Sequence, residues 1–266
     1  MLTLNDIKDL QKKYEIKTKK RFGQNFLIDS NVLNNIIEIS NIKNKKVVEI
    51  GPGLGSLTRM LLKDTEELTA FEIDDDMIRV LEGEINNDKF KLIKGDFLKQ
   101  TLDWKGKRTL IANLPYYITS DILFKLFENT NKFDKAIIMI QDEVADRLIA
   151  PVGSKQYGKL TISTNHFALI KKNFVVKPNS FFPVPKVNSA VISLEFKEPS
   201  NINDKEFLEF VKLSFKQRRK TLFNNWKDIM GSNNAKELIE SLGLDLSIRP
   251  QNLTLENYKN AFIKRR

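Results

Sequence analysis

Between residues 46 and 141, short apolar runs alternate with stretches in which apolar residues recur at helical spacing. The runs have the pattern of buried parallel strands, and they are Lys46–Ile50, Leu68–Ile73, Lys91–Lys94, Thr109–Ala112 and Lys135–Ile140. Helical spacing separates them, and Ser56 is the expected N-cap of the first helix. Strands that alternate with helices in this way predict a doubly wound α/β sheet.

The pattern changes towards the C-terminus. Two further strands are expected on either side of a proline-rich loop, Phe174–Val176 and Ala190–Phe196, so that the sheet ends in an antiparallel hairpin. Beyond Ser200 only helical spacing is found, in Phe207–Phe215, Ala235–Leu242 and Leu255–Ile263. We therefore predict a sheet domain in residues 1–198 and a small all-helical domain in residues 199–266.

Composition excludes several kinds of site. The 266 residues include no cysteine, which excludes disulfide scaffolds, thiolate zinc sites and cysteine nucleophiles. The single histidine, His166, cannot form a multi-histidine metal site, and we expect it to be packed or on the surface. No apolar run approaches the roughly 20 residues that span a bilayer, and the N-terminus lacks the apolar stretch of a secretory signal. A cytoplasmic protein without a metal is therefore expected.

Positive charge is in excess and is concentrated in two segments. The net charge of +10 favours a polyanionic partner. Residues 1–24 form a basic arm with seven Lys or Arg against three acids, and residues 212–220 carry five and no acid. No amphipathic helix with apolar anchors lies near these segments, so RNA is favoured over a membrane. The candidate RNA-binding residues are Lys19, Lys20, Arg21, Lys216, Arg218, Arg219 and Lys220.

Ligands of open α/β sheets bind at the carboxyl ends of the strands, and a glycine-rich segment follows the first strand here. In Gly51–Gly55 the glycines allow a close approach of backbone to ligand, and the next helix N-terminus favours a carboxylate or phosphate. A dinucleotide-binding fingerprint would need glycine at the position of Ser56, and a phosphate-binding loop of the Walker type would need Lys-Ser or Lys-Thr. Alone, the segment is also compatible with a plain tight turn.

Acidic residues follow the next two strands. Glu72 lies 21 residues after Gly51, close to the spacing at which a carboxylate accepts from ribose hydroxyls. Asp96, in Gly95-Asp96-Phe97, is able to accept from an adenine amino group, although an aspartate there also suits a turn. Together the three strand ends predict a nucleoside ligand.

Asn113-Leu114-Pro115-Tyr116 follows the fourth strand and is the most informative segment. An exocyclic amine on an aromatic ring is a poor nucleophile because its lone pair is delocalised. The side-chain oxygen of Asn113 and the carbonyl of Leu114 can both accept from such an amine, which localises the lone pair on nitrogen. Pro115 fixes the backbone, and Tyr116 offers a stacking face. The tetrapeptide also fits an ordinary turn, but its place downstream of a nucleoside site favours catalysis.

With these residues in place, the chain resembles the bacterial small-subunit rRNA adenine N6,N6-dimethyltransferases, which implies a Rossmann-like methyltransferase sheet. The resemblance extends from residue 19 to about 225 and is specific because seven motifs occur in order. They are Lys19–Asp29 (KKRFGQNFLID), Val48–Thr58 (VEIGPGLGSLT), Phe71–Asp74 (FEID), Gly95–Phe97, Asn113–Ser120 (NLPYYITS), Phe181–Ser189 (FFPVPKVNS) and Arg218–Asn225 (RRKTLFNN).

The resemblance implies a donor, a target and a role for each motif. S-adenosylmethionine would be the methyl donor, and the family pattern assigns it to Asn25, Leu27, Gly51, Glu72, Asp96 and Asn113. The target amine would be held by Asn113, Leu114, Pro115 and Tyr116, with Phe181 stacked on the flipped base. The implied substrate is a pair of adjacent adenosines in a hairpin loop near the 3′ end of 16S rRNA, within an assembling 30S particle. We expect a monomer.

Two other functions remain open at this point. A methyltransferase of large-subunit rRNA that confers macrolide resistance shares the glycine loop and the Asn-x-Pro-Tyr element, but Arg218–Asn225 weighs against it. A non-catalytic RNA-binding assembly factor could retain the fold, but intact Glu72, Asp96 and Asn113 argue against lost chemistry. One departure from the family pattern, Phe223-Asn224 where a basic residue is common, removes a phosphate contact at most.

Overall fold

The computed structural model of the protein describes residues 1–19 and 23–265, which fall into two compact units. The first unit comprises Met1–Ala145 and Lys171–Phe196, and the second comprises Asp146–Ile170 and Lys197–Arg266. The sequence placed a single boundary near residue 199. The division differs because Tyr157 and Ile162 pack in the hydrophobic core of the second unit.

Strands and helices alternate through most of the first unit. The strands are β1 (Phe26–Leu27), β2 (Lys46–Ile50), β3 (Glu67–Glu72), β4 (Phe90–Lys94), β5 (Arg108–Asn113), β6 (Phe133–Gln141), β7 (Ala168–Val176), β8 (Phe181–Phe182) and β9 (Ser189–Phe196). The helices are α1 (Leu4–Lys13), α2 (Ser30–Ser40), α3 (Ser56–Asp64), α4 (Asp75–Glu84), α5 (Thr119–Phe127), α6 (Asp142–Leu148), α7 (Lys159–Phe167), α8 (Asp204–Ser214), α9 (Leu222–Met230), α10 (Ser232–Ser241) and α11 (Leu255–Lys264).

Seven strands form one sheet in the order β4-β3-β2-β5-β6-β9-β7. The five strands from β4 to β6 are parallel, and β9 is antiparallel to β6. The prediction of a doubly wound sheet that ends in an antiparallel strand is confirmed. The strand order reverses between β2 and β5, so a ligand crevice is expected outside the carboxyl ends of these two strands.

The central strand β2 is apolar along almost its whole length because helices cover both faces of a parallel sheet. Val47 and Val48 are fully buried, and Val47 packs with Leu33 of α2 and Leu61 of α3. A small antiparallel pair, β1 with β8, lies apart from the main sheet and aligns Leu27 with Phe181. This pair fixes the end of the basic arm next to the first core.

The second unit is helical, and its core is built around Trp226 and Tyr258, both fully buried. Their polar atoms are paired, Trp226 Nε1 with Ser214 Oγ at 2.7 Å and Tyr258 Oη with the carbonyl of Pro250 at 2.8 Å. His166 is packed, as expected. Its Nε2 lies 2.7 Å from Asp204 Oδ1, and burial lowers the pKa of its imidazole.

Some local predictions were incomplete. The expectation that Ser56 caps α3 was wrong, because Gly55 precedes the helix and no side chain caps it. Helices α1, α2, α7 and α9 were not foreseen. In the part of the chain that the structure describes, no helix is long and apolar enough to cross a membrane.

Candidate active site

A cavity of about 250 Å³ opens at the carboxyl ends of strands β2 to β5, beside the end of the basic arm. Most of the site residues predicted from the sequence meet there, although they come from five separate segments of the chain. Those that line the cavity are Asn25, Leu27, Gly51, Glu72, Asp96, Asn113, Leu114, Pro115 and Tyr116.

The glycine-rich turn forms one wall of the cavity. Gly51 and Gly53 have φ angles of +66° and +57°, a region that side chains with a Cβ rarely adopt. A Cβ on Gly53 would also come within 3.2 Å of the Phe26 ring. Because no side chain caps α3, the N–H groups of its first turn are available to a ligand carboxylate.

The Glu72 carboxylate lies at the end of β3 and accepts three backbone hydrogen bonds. Oε2 accepts from the N–H of Gly53 at 3.0 Å, and Oε1 accepts from the N–H groups of Ile73 and Asp74, each at 2.9 Å. Burial raises the pKa of the Glu72 carboxyl above its usual value, while these donors lower it. The carboxylate is thus held rigidly against the glycine turn, with one edge on the cavity.

Glu49 in β2 is a site residue that the sequence analysis missed. Its side chain is 1% exposed and lines the cavity. Among the described residues, Oε2 of Glu49 has no hydrogen-bond partner. Burial, together with the nearby charge of Glu72, raises the pKa of the Glu49 carboxyl to about 8. An acidic residue within the apolar run KVVEI was the available signal, since carboxylates are seldom buried without a partner.

Asp96 follows β4 and begins a single 3-10 turn. Its Oδ1 accepts from the N–H of Leu98 at 3.0 Å, so the turn assigned to it and a place on the cavity occur together. Phe97 is buried and packs edge-on against Phe71, with ring centroids 5.1 Å apart. These rings give this side of the cavity an apolar surface beside a carboxylate.

Asn113 ends β5, and its amide is oriented by the basic arm. Nδ2 of Asn113 donates to the backbone carbonyl of Asn25 at 3.2 Å, which leaves Oδ1 as the acceptor. The N–H of Leu114 donates to the carbonyl of Met139 at 3.1 Å. The backbone of this segment is therefore joined to β6, as expected for a residue pair that must hold a fixed position.

Tyr116 is partly buried at the cavity and is anchored through its hydroxyl. Its Oη lies 2.8 Å from Ser189 Oγ, and burial raises the pKa of the phenol. The hydroxyl therefore stays protonated at neutral pH, and the ring is fixed at its far end. Tyr117 also lines the cavity but is 61% exposed.

Phe181 does not have the position that the sequence predicted. Its ring is 2% exposed, packs in the first core with Leu27 and Val176, and is not among the residues that line the cavity. The physical reason is the β1–β8 pairing, which sets Phe181 opposite Leu27 in the core. The ring thus supports the segment that carries Leu27 and offers no face to the cavity.

The basic arm is only partly described, since Lys20 and Arg21 lie outside the described residues. Lys19 Nζ donates to Asp74 Oδ1 at 2.6 Å and pairs with Asp76 Oδ2 at 2.5 Å. The hydrogen bonds to these two carboxylates raise the pKa of Lys19. The ammonium group predicted to bind RNA is therefore engaged within the protein.

In the second unit, the basic segment 216–220 is a loop fixed from within by Asn225. The Oδ1 of this buried amide accepts from the N–H of Gln217 at 2.8 Å, and its Nδ2 donates to the carbonyls of Gln217 and Thr221 at 3.2 and 3.0 Å. The side chains of Lys216, Arg219 and Lys220 are exposed on the loop. The loop thus presents three charged side chains on a defined backbone.

Arg218 differs from the other basic residues of this loop. Its Nη2 donates to the carbonyl of Tyr157 at 2.6 Å and also to the carbonyls of Ser154 and Lys155. Arg218 therefore fastens segment 154–157 to the loop. Among the described residues, no cluster of acidic or histidine side chains has the arrangement of a metal site.

Comparison with known proteins gives matches along most of the chain. A family model described as ribosomal RNA adenine dimethylase matches residues 15–264. The ribosomal RNA small subunit methyltransferase A of Mycoplasma mobile is 45% identical over 245 residues, which are 92% of this chain and 96% of that protein. The protein of the same name from Lactobacillus helveticus is 42% identical over 266 residues and covers 92% of this chain and 90% of its own length.

Solved structures agree in fold. A dimethyladenosine transferase from Plasmodium falciparum superposes with a TM-score of 0.81 at 28% identity, over 90% of this chain and 96% of that chain. A 23S rRNA methyltransferase superposes with a TM-score of 0.68 at 23% identity, over 90% and 98% of the two chains, and shares the fold.

Proposed function

Since the chain belongs to the ribosomal RNA adenine dimethylase family, we propose that it dimethylates N6 of two adjacent adenosines in a hairpin loop near the 3′ end of 16S rRNA. Family membership makes it an rRNA adenine dimethyltransferase of the small ribosomal subunit. The methyl donor is S-adenosylmethionine, and the substrate is the RNA within an assembling 30S particle. The protein acts as a monomer. The observation that carries this proposal is the convergence of four strand ends and the arm on one cavity.

The chemistry of the cavity fits this donor. S-adenosylmethionine is a cation that combines a nucleoside with an amino acid, and when bound it supplies a methyl group on a positively charged sulfur. Glu72 is placed to accept from ribose hydroxyls, and Asp96 to accept from the adenine amino group. The unpartnered Oε2 of Glu49 gives a cationic ligand a buried negative partner.

The amino-acid end of the donor would lie against the glycine turn. The N–H groups at the start of α3 favour its carboxylate, and the open space beside Gly51 leaves room for it, since nothing lies within 4 Å of the position of a Cβ there. Asn25 and Leu27, on the arm, cover the donor from the opposite side of the cavity. These groups bind and orient without any conformational change being required of the sheet.

Asn113 and Leu114 act on the target amine. With its NH2 engaged by Asn25, the Asn113 amide presents Oδ1 as a fixed acceptor. Together with the carbonyl of Leu114, it accepts the two protons of the amine, which localises the nitrogen lone pair for attack. A preoriented acceptor lowers the barrier because its cost of orientation is already met in the free enzyme. Tyr116 supplies the stacking face that keeps the adenine in place.

RNA is held by exposed basic residues that contact phosphate and carry no base specificity. On the second unit these are Lys216, Arg219 and Lys220, which the loop presents together. Within the arm, Lys20 and Arg21 remain candidates. The single residue that does the chemistry is thus separate from those that supply electrostatic affinity.

Methyl transfer to isolated subunits tests the proposal. Purified protein and tritiated S-adenosylmethionine are incubated with 30S and 50S particles from cells that lack small-subunit adenine dimethylation. Label should enter 16S rRNA of the 30S particle, and primer extension should stop at two adjacent adenosines. Label in 50S particles alone would indicate the large-subunit activity, and binding without transfer would indicate a non-catalytic assembly factor.

A further inference from the structure

The arm is fastened to the turn after β3 by two side chains that share one carboxylate. Lys19 Nζ donates to Oδ1 of Asp74, and Gln24 Nε2 donates to Oδ2 of the same residue at 2.7 Å. The two are also joined to each other, because the N–H of Lys19 donates to Gln24 Oε1 at 2.7 Å. Both ends of the segment between them are therefore fixed at a single point.

That point is rigid and is directly connected to the donor site. The Asp74 side chain is only 1% exposed, so its charge depends on partners within the protein. The N–H of Asp74 donates to Glu72 Oε1, the carboxylate assigned to the ribose. Asp76, the second partner of the Lys19 ammonium, donates its own N–H to Asp74 Oδ1 at 3.1 Å.

From this point the arm crosses the cavity to the catalytic asparagine. Gly23, Gln24 and Asn25 all line the cavity, and Asn25 Nδ2 donates to the carbonyl of Gly23 at 3.1 Å. The carbonyl of Asn25 then accepts from Asn113. The segment therefore runs from the ribose carboxylate to the residue that holds the target amine.

We propose that Lys19 and Gln24 form a latch on Asp74 that holds residues 23–27 over the methyl donor. The proposal rests on the function given above. Lys19 is then a positioning residue for the donor, and the RNA contact that its charge suggested is made by other residues. A latch raises the fraction of molecules in which the covering segment is closed, and apparent affinity falls in proportion when that fraction falls.

Two variants and a matched control separate the latch from an RNA contact. Lys19→Met keeps the aliphatic stem and removes the ammonium, and Gln24→Met removes the amide. Lys17→Met removes an exposed lysine from the same arm. Donor affinity is measured by calorimetry with S-adenosylmethionine, closure by amide hydrogen exchange of residues 23–27 in free protein, and RNA binding by its dependence on salt.

The latch predicts that Lys19→Met and Gln24→Met each weaken donor binding roughly five- to thirtyfold and speed exchange at residues 23–27, while Lys17→Met does neither. The salt dependence of RNA binding should be the same for Lys19→Met as for wild type. Unchanged exchange and donor affinity, or a salt slope reduced by about 0.7–0.9 with donor affinity unchanged, would overturn the latch. Wild-type protein that bound no donor would count against the proposed function, and exchange at residues 23–27 would still decide the latch.

Discussion

The side-chain NH2 of Asn113 donates to the backbone carbonyl of Asn25 at 3.2 Å, across 88 positions of the chain. This bond joins the end of β5 to the arm that covers the cavity. Because an amide has one donor end and one acceptor end, engaging the NH2 fixes where Oδ1 points. The orientation of the catalytic acceptor therefore depends on the arm as well as on the sheet.

Asn113→Asp should abolish methyl transfer as completely as Asn113→Ala. A carboxylate retains an acceptor for the amine but cannot donate to Asn25, so the oxygen that replaces Nδ2 faces the carbonyl unfavourably. We expect turnover to fall by at least about a hundredfold, measured by single-turnover methylation of 30S particles. Asn234→Asp is the control, since Asn234 Nδ2 also donates to a carbonyl but is exposed and outside the site. Retention of activity by the aspartate would show that only an acceptor is needed.

Phe181→Leu should leave methyl transfer close to wild type. The ring is buried in the core opposite Leu27, and leucine keeps most of the apolar volume at a cost of less than about 1.5 kcal/mol. Phe181→Ala should lower the free energy of unfolding by about 3–5 kcal/mol because it leaves a cavity. Urea unfolding and single-turnover methylation on the same preparations give both quantities. A stable Phe181→Leu protein with greatly reduced turnover would restore the stacking role.

Glycines, strand ends and acidic residues could be placed from the sequence because each follows a buried run of strand type. Gly51, Glu72, Asp96 and Asn113 lie at the carboxyl ends of adjacent strands, and adjacent parallel strands bring their ends together. Phe181 could not be placed in the same way. A two-residue strand has no detectable periodicity, and which of two neighbouring phenylalanines faces the core depends on its register with β1.

The roles of charged residues depended on contacts that composition does not contain. Lys19 and Arg218 have the same apparent signal as Arg219, a positive charge in a basic segment. The structure gives Lys19 two carboxylates and Arg218 three carbonyls, from residues far away in the chain. Glu49 was overlooked for the opposite reason, since its environment is set by strand packing on both faces of the sheet.

The stability of the protein should depend on pH through Glu49. Its pKa is about 8 in the folded protein and near 4.5 when unfolded, so the folded state binds more protons between these values. Stability contributed by the protonated carboxyl is therefore lost as pH rises from about 4.5 to about 8, with a slope of at most about 1.4 kcal/mol per pH unit. Glu49→Gln should remove this slope and be more stable than wild type at pH 8.

Urea unfolding of wild type and Glu49→Gln at several pH values measures this difference, and Glu38→Gln, at an exposed position, is the control. Parallel curves for wild type and Glu49→Gln would mean that Glu49 is ionised in the folded protein at all these pH values. The same variant should bind S-adenosylmethionine more weakly at pH 8, because the amide cannot supply a negative charge to a cation.

The last prediction concerns the basic loop 216–220, where neighbouring arginines should behave differently. Replacing Arg219 and Lys220 by alanine should reduce the log–log salt slope of RNA binding by about 0.7–0.9 for each phosphate that is no longer neutralised, with little effect on folding, because both side chains are exposed. Arg218→Ala should instead lower the free energy of unfolding by about 1 kcal/mol, since its bonds to Tyr157 and its neighbours are partly exposed to solvent.

Filter binding of 16S rRNA over a range of salt concentrations and urea unfolding of the second unit's helices distinguish the two effects. Lys205→Ala, at an exposed position on α8, controls for the removal of a charge elsewhere in the unit. An Arg218→Ala protein with unchanged stability and a reduced salt slope would mean that Arg218 leaves its carbonyl partners when RNA binds. In that event all the basic side chains of the loop contact phosphate, and Asn225 alone keeps the loop in shape.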